Sequence, residues 1–86
     1  MHDLIEARQQ IEILDQKLIA LLSERMQLCK EIGSFKKENG LLVLDETREN
    51  DLQTLHQTWA TQNALSPVFV TQLFELIFAH AKEVQE

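Results

Sequence analysis

Arg25 interrupts a row of residues spaced by sevens, Leu4, Ile11, Leu18 and Ile32, in which every other member is Leu or Ile. Arg48 stands four, seven and eleven residues ahead of Leu52, Leu55 and Trp59, and Gln85 extends the row Val70, Phe74, Ile77 and Ala81. A buried, unpaired guanidinium is strongly unfavourable, so each of these positions needs a partner or a route to water. Singly, each has a plain explanation. Arg25 can pair with Glu24, Glu49 or a carboxylate of a second chain as a register device, and Arg48 and Gln85 lie near helix ends where long side chains reach solvent. Together they say more. Lys36 follows Arg25 by eleven residues, about three helical turns, and so shares nearly the same face. Arg with Lys in a mostly enclosed site suits the carboxylates of a small dianion, the guanidinium offering a bidentate grip.

Other chemistries find little here. Cys29 is the sole cysteine, which rules out an intrachain disulfide and a cysteine-based zinc cluster; His2, His56 and His80 show no ligand spacing, so no metal is expected. With 8 Lys and Arg against 14 Asp and Glu, the net charge is −6, and too few cations remain for a nucleic-acid surface. No apolar run approaches the ~18 residues of a membrane span. Met1-His2-Asp3-Leu4-Ile5-Glu6 lacks the basic-then-apolar order of a signal peptide, and the expected compartment is the cytoplasm.

The elements that must position the cations are helical. Beside the row containing Arg25 runs a companion, Ala7, Leu14, Leu21, Leu28 and Phe35, giving a coiled-coil-like seam sustained over more than four heptads. The expected first helix covers about 3–38 and stops around Asn39-Gly40. Leu41 to Leu44 reads as a packed connector, since no second strand is available to pair with it. Asp45 is a good N-cap for a second helix, about 46–62, with Glu46 and Glu49 in its first turn. Ser66-Pro67 opens a third, about 67–85. The expectation is a single all-α domain over residues 1–86.

A helix of ~35 residues would be roughly 50 Å long, longer than the compact diameter of so short a chain. It needs a partner to cover its seam. Arg8 lies seventeen residues before Arg25, roughly 25 Å away along the helix, and cannot share a small ligand with Arg25 of its own chain. If two long helices pair antiparallel and cross near residue 21, Arg8 of the partner subunit falls opposite about residue 34, between Arg25 and Lys36. A homodimer built this way has two equivalent pockets, each completed by the other chain.

In order along the chain, Ala7-Arg8, Ile11-x-x-Leu14-Asp15-x-x-Leu18-x-x-Leu21-Leu22-x-x-Arg25, Glu31-Ile32-Gly33-x-x-Lys36, Asp45-x-x-Arg48-Glu49, Leu65-Ser66-Pro67, Leu73-Phe74-x-x-Ile77 and Gln85 resemble the all-helical chorismate mutases. The resemblance runs from Leu4 to Gln85. It implies an intertwined three-helix homodimer that rearranges chorismate to prephenate in aromatic amino acid biosynthesis, without a cofactor. It also implies roles. Arg25 and Arg8 of the partner subunit would hold the two carboxylates, and Lys36 a carboxylate and the enol-ether oxygen. Gln85 would donate to that oxygen from the other side. Glu49 would accept the ring hydroxyl, with Asp45 and Arg48 shaping that end.

Two departures stand out. Ala81 occupies a position where many relatives have a small hydroxyl residue that helps bind a carboxylate, and Leu42 one where relatives commonly have Pro. Alternatives on the same fold are an isochorismate pyruvate lyase, against which Asp45, Arg48 and Glu49 argue, and a mutase of 4-amino-4-deoxychorismate. An alternative of another class is a non-catalytic helical dimerisation module, which would more cheaply place Leu at 25, 36, 48 and 85. No separate regulatory domain, and hence no feedback regulation, is expected.

Overall fold

The computed structural model describes residues 3–41 and 46–85. The described residues form three helices and no strand: α1 (Leu4–Glu38), α2 (Glu46–Gln62) and α3 (Pro67–Gln85). The Asp45 cap and the connector positions Leu42 to Leu44 lie outside the described residues.

Local chemistry explains where the helices begin and end. Asp3 caps α1, its carboxylate accepting from the Glu6 backbone N–H at 2.8 Å. At the other end Lys36 and Lys37 sit favourably against the helix dipole. Gly40 takes the left-handed conformation (φ +66°), and Leu41 N–H reaches back to the Lys36 carbonyl at 2.7 Å while Gly40 N–H donates to the Lys37 carbonyl at 3.3 Å. That pair of bonds closes the last turn in a Schellman motif. The end of α2 repeats the motif with Ala64 in the left-handed position (φ +58°), Leu65 N–H donating to the Ala60 carbonyl at 2.8 Å. Ser66 starts α3 by accepting from Phe69 N–H at 3.3 Å, and Pro67 takes the first helical position, where its missing N–H costs nothing.

α3 is the centre of the molecule. It packs against α1 on one side and α2 on the other, and the described parts of α1 and α2 do not approach each other. Val70, Ile77, Phe78 and Ala81 are its buried residues. α1 meets it through Cys29 and Gly33, both buried, with Arg25, Met26 and Lys36 half-buried. α2 differs from its expected apolar row. Leu52 is half-buried, but Leu55 and Trp59 remain 42% and 50% exposed, while His56 and Ala60 are buried. The face α2 turns to α3 runs through Glu49, Leu52, Gln53, His56 and Ala60, which leaves Leu55 and Trp59 on its flank.

From Asp3 to Glu24 every residue is exposed except Ala7, which is half-buried. Leu4, Ile11, Leu14, Leu18 and Leu21 are each more than half exposed. The molecule consequently spans 55 × 23 × 15 Å with a radius of gyration of 16.1 Å, against about 12 Å for a compact domain of this length. Among the described residues, no helix is long and apolar enough to cross a membrane.

Candidate active site

A cavity of about 310 Å³ lies where the C-terminal half of α1, the start of α2 and the end of α3 converge, within the size range of small-molecule sites. α1 contributes Arg25, Cys29 and Lys36; α2 contributes Arg48, Glu49 and Leu52; α3 contributes Phe78, Ala81, Lys82 and Gln85. Of the residues singled out by sequence, Arg25, Lys36, Arg48, Glu49, Ala81 and Gln85 therefore line one space. Asp45 lies outside the described residues. Arg8, exposed on the far half of α1, does not line this cavity of its own chain.

Arg25 is held by aromatic faces and a thiol. Its Cζ lies 5.9 Å from the Phe74 ring centre and 5.7 Å from that of Phe78, and Nη1 donates to Cys29 Sγ at 3.7 Å. Among the described residues no carboxylate pairs with it, so the register device with Glu24 or Glu49 of its own chain is not formed. Ring faces attract the guanidinium without consuming its forked donors. The donors that Cys29 does not take stay available to an anion.

Behind Phe74 stands His56, which no spacing in the sequence marked. Its ring stacks on Phe74 with centres 3.8 Å apart, and it is 6% exposed. Its Nδ1 has no hydrogen-bond partner among the described residues. Burial first, then the Arg25 and Arg48 charges, hold its pKa below the ordinary 6.5. The ring stays neutral at physiological pH and acts as a wall for the aromatic pair under Arg25.

Lys36 and Gln85 face each other across the α1–α3 contact. Lys36 Nζ donates to Gln85 Oε1 at 3.5 Å. An ammonium has only donors, so this contact turns the amide oxygen toward α1 and leaves the amide N–H groups to donate elsewhere. Gly33 makes the approach possible. A Cβ on Gly33 would lie 2.7 Å from Gln85 Cα and 2.8 Å from its carbonyl oxygen, closer than packed atoms tolerate. The missing side chain thus sets how near the end of α3 comes to Lys36.

On the α2 side Glu49 is half-buried and Arg48 exposed. Ala81, 6% exposed, presents only a methyl group. Lys82, also unmarked by sequence reasoning, is half-buried in the cavity wall. The signal for it existed: with Phe78, Ala81 and Gln85 it completes an i, i+3, i+4, i+7 stripe. Among the described residues four cations against one carboxylate line the cavity, in a chain whose overall charge is negative. Such a site attracts a small anion. Among the described residues no group of three His, Cys, Asp or Glu could hold a metal ion.

The chorismate mutase type II family profile matches residues 7–86. Among curated relatives, the bifunctional chorismate mutase/prephenate dehydratase of Escherichia coli is 36% identical over 83 residues, covering 96% of this chain and 22% of the relative. The chorismate mutase of Methanocaldococcus jannaschii is 24% identical over 83 residues, covering 96% of this chain and 84% of the relative. The chain thus spans about a fifth of the length of the bifunctional relatives it matches. Together with the three-helix architecture, the profile match over nearly the whole sequence establishes that the chain belongs to the chorismate mutase type II family.

Proposed function

We propose that the chain is a cytoplasmic chorismate mutase, working as an antiparallel homodimer that converts chorismate to prephenate without a cofactor. The observation that carries the reading is the Lys36–Gln85 contact, in which the ammonium donates to the amide oxygen and so brings two donor-bearing side chains from different helices together in a cationic cavity. In the rearrangement one ether C–O bond breaks as one C–C bond forms, with no proton transfer and no nucleophile. The protein has two tasks. It must hold the enolpyruvyl arm over the ring, and Arg25 gripping a carboxylate turns binding into orientation. It must also stabilise charge growing on the departing ether oxygen, which Lys36 and the Gln85 amide do as preorganised donors. Glu49 accepts the ring hydroxyl, with Arg48 shaping that end of the cavity, a role the family resemblance extends to Asp45. The uncovered apolar face of α1 supports the dimer, in which Arg8 of the partner subunit supplies the remaining carboxylate contact.

The test is to incubate the purified protein with chorismate and identify products by NMR, with Lys36→Ala as control. Prephenate from the wild type, and a loss on the order of 3 kcal/mol of transition-state stabilisation in the variant, bear the proposal out. Salicylate and pyruvate from isochorismate, with chorismate untouched, would shift the assignment to the lyase. Turnover of 4-amino-4-deoxychorismate alone would make the Ala81 departure a substrate change.

A further inference from the structure

We propose that Lys82 is a substrate-binding residue that supplies the carboxylate contact Ala81 cannot make; the inference rests on the mutase reading of the cavity. The α3 wall of the cavity is the stripe Phe78, Ala81, Lys82 and Gln85, and Lys82 is its one charged member. Its side chain is half-buried, and among the described residues no carboxylate pairs with it. A partly desolvated ammonium without a counter-ion is unfavourable in the empty protein and favourable once an anion arrives. Ala81, one position earlier, is buried against the same space with no polar side-chain atom. The four-carbon stem of Lys82 carries three donors that swing freely, so the ammonium can reach a carboxylate from the adjacent helical position.

Such a contact forms on the intact substrate and persists in the transition state, because the carboxylates keep their charge through the rearrangement. It therefore acts on KM and leaves kcat nearly alone. Lys82 differs in this from Lys36 and Gln85, whose donors face the oxygen where charge develops.

Lys82→Met is expected to raise KM for chorismate about tenfold, the scale of one charge-assisted hydrogen bond to a half-exposed group, with kcat within about twofold of wild type. Lys82→Arg should retain most of the affinity. Adding Ala81→Ser to Lys82→Met should recover part of the loss by restoring a donor on the same stripe. Lys30→Met, on the exposed face of α1, removes the same charge elsewhere and should leave KM unchanged. A KM unaltered by Lys82→Met, an equal shift from Lys30→Met, or a loss confined to kcat overturns the proposal. Calorimetric titration of chorismate into wild type and Lys82→Met separates the two readings. A wild type that binds chorismate without converting it, with weaker binding in the variant, sinks the mutase assignment and keeps the Lys82 contact. Equal binding by both proteins, or binding by neither, overturns the contact whatever the activity.

Discussion

The two halves of α1 carry the same seven-residue apolar rhythm, and its Leu, Ile and Phe members stay exposed in both, Leu28, Ile32 and Phe35 as well as Leu14 and Leu18. What separates the halves is a second face that only the inner one packs on its own chain. Residues 3–24 bury nothing beyond the half-covered Ala7, whereas residues 25–36 contribute Arg25, Met26, Cys29, Gly33 and Lys36 to the contact with α3 and the cavity beside it. The inner half is anchored by its own chain. The outer half reaches α3 only at its inner edge, where Ile19, Leu22 and Ser23 share a shallow cavity with Leu76, Ile77 and His80; Leu4, Ile11, Leu14 and Leu18 lie more than half exposed. Periodicity reports that a face must be buried, but not whose surface covers it. On the proposed reading the division is also one of labour, the outer half answering for assembly and the inner half for the geometry of the site.

The largest effect should come from breaking the outer half. Leu14 is 56% exposed in the isolated chain, so Leu14→Glu would be nearly harmless to a monomer. In a dimer seam it buries an unpaired carboxylate, at a cost of about 3 kcal/mol or more. Sedimentation should show monomers, and activity should fall to about 1% or less, since on the proposed reading each pocket then lacks Arg8 of the partner subunit. A dimer of full activity would show that this face does not carry the assembly.

Next comes a change at the inner end that leaves assembly intact. Gln85→Glu turns a neutral donor into an acceptor at pH 7, with an expected loss of about 10²–10³ in kcat. A carboxyl can donate only when protonated, so the activity of this variant should climb as pH falls, while the wild type should show no such rise. Parallel pH–rate profiles decide it.

Gly33→Ala should be milder. The new methyl group meets the Gln85 backbone, so the end of α3 must move outward at about 1–3 kcal/mol. A kcat lowered about tenfold in a folded dimer is the expected signature of a misplaced amide. Unchanged kcat would mean that the distance between Lys36 and Gln85 is not critical.

The smallest effect concerns His56, behind the rings that support Arg25. Folding lowers its pKa below 6.5, so the unfolded chain binds more protons as the solution becomes acidic. The stability it contributes is complete above pH 6.5 and is lost as pH drops through the folded value. Denaturant midpoints should therefore fall between pH 7 and pH 5, and His56→Leu should flatten that slope. Identical slopes would remove His56 as the source.

Fold class and cavity were legible to different degrees. The all-α architecture followed from sustained heptads and sparse Gly and Pro, because helical periodicity is local information. Arg25, Arg48 and Gln85 were visible because each breaks an apolar row, and a polar group at an apolar position needs a reason, although Arg48 proves exposed. His56 and Lys82 were not. His56 takes a buried place that the apolar row assigned to its neighbours Leu55 and Trp59, since the rotation of α2 is set by α3. Lys82 reads as an ordinary solvated lysine until α2 closes the space beside it. The spacing role of Gly33 likewise exists only once Gln85, fifty-two residues later, is brought against it.

Among the described residues α1 and α2 meet α3 but not each other, so the two outer walls of the cavity are positioned through the side chains of α3. Phe78 and Ala81 thereby work as a gauge. The separation of Arg25 on α1 from Glu49 on α2 should therefore respond to a change of one methyl or one ring on the middle helix. On the proposed reading, a ligand with a different ring substituent could be admitted by a change at Phe78 or Ala81 alone, with the charged residues of α1 and α2 left as they are.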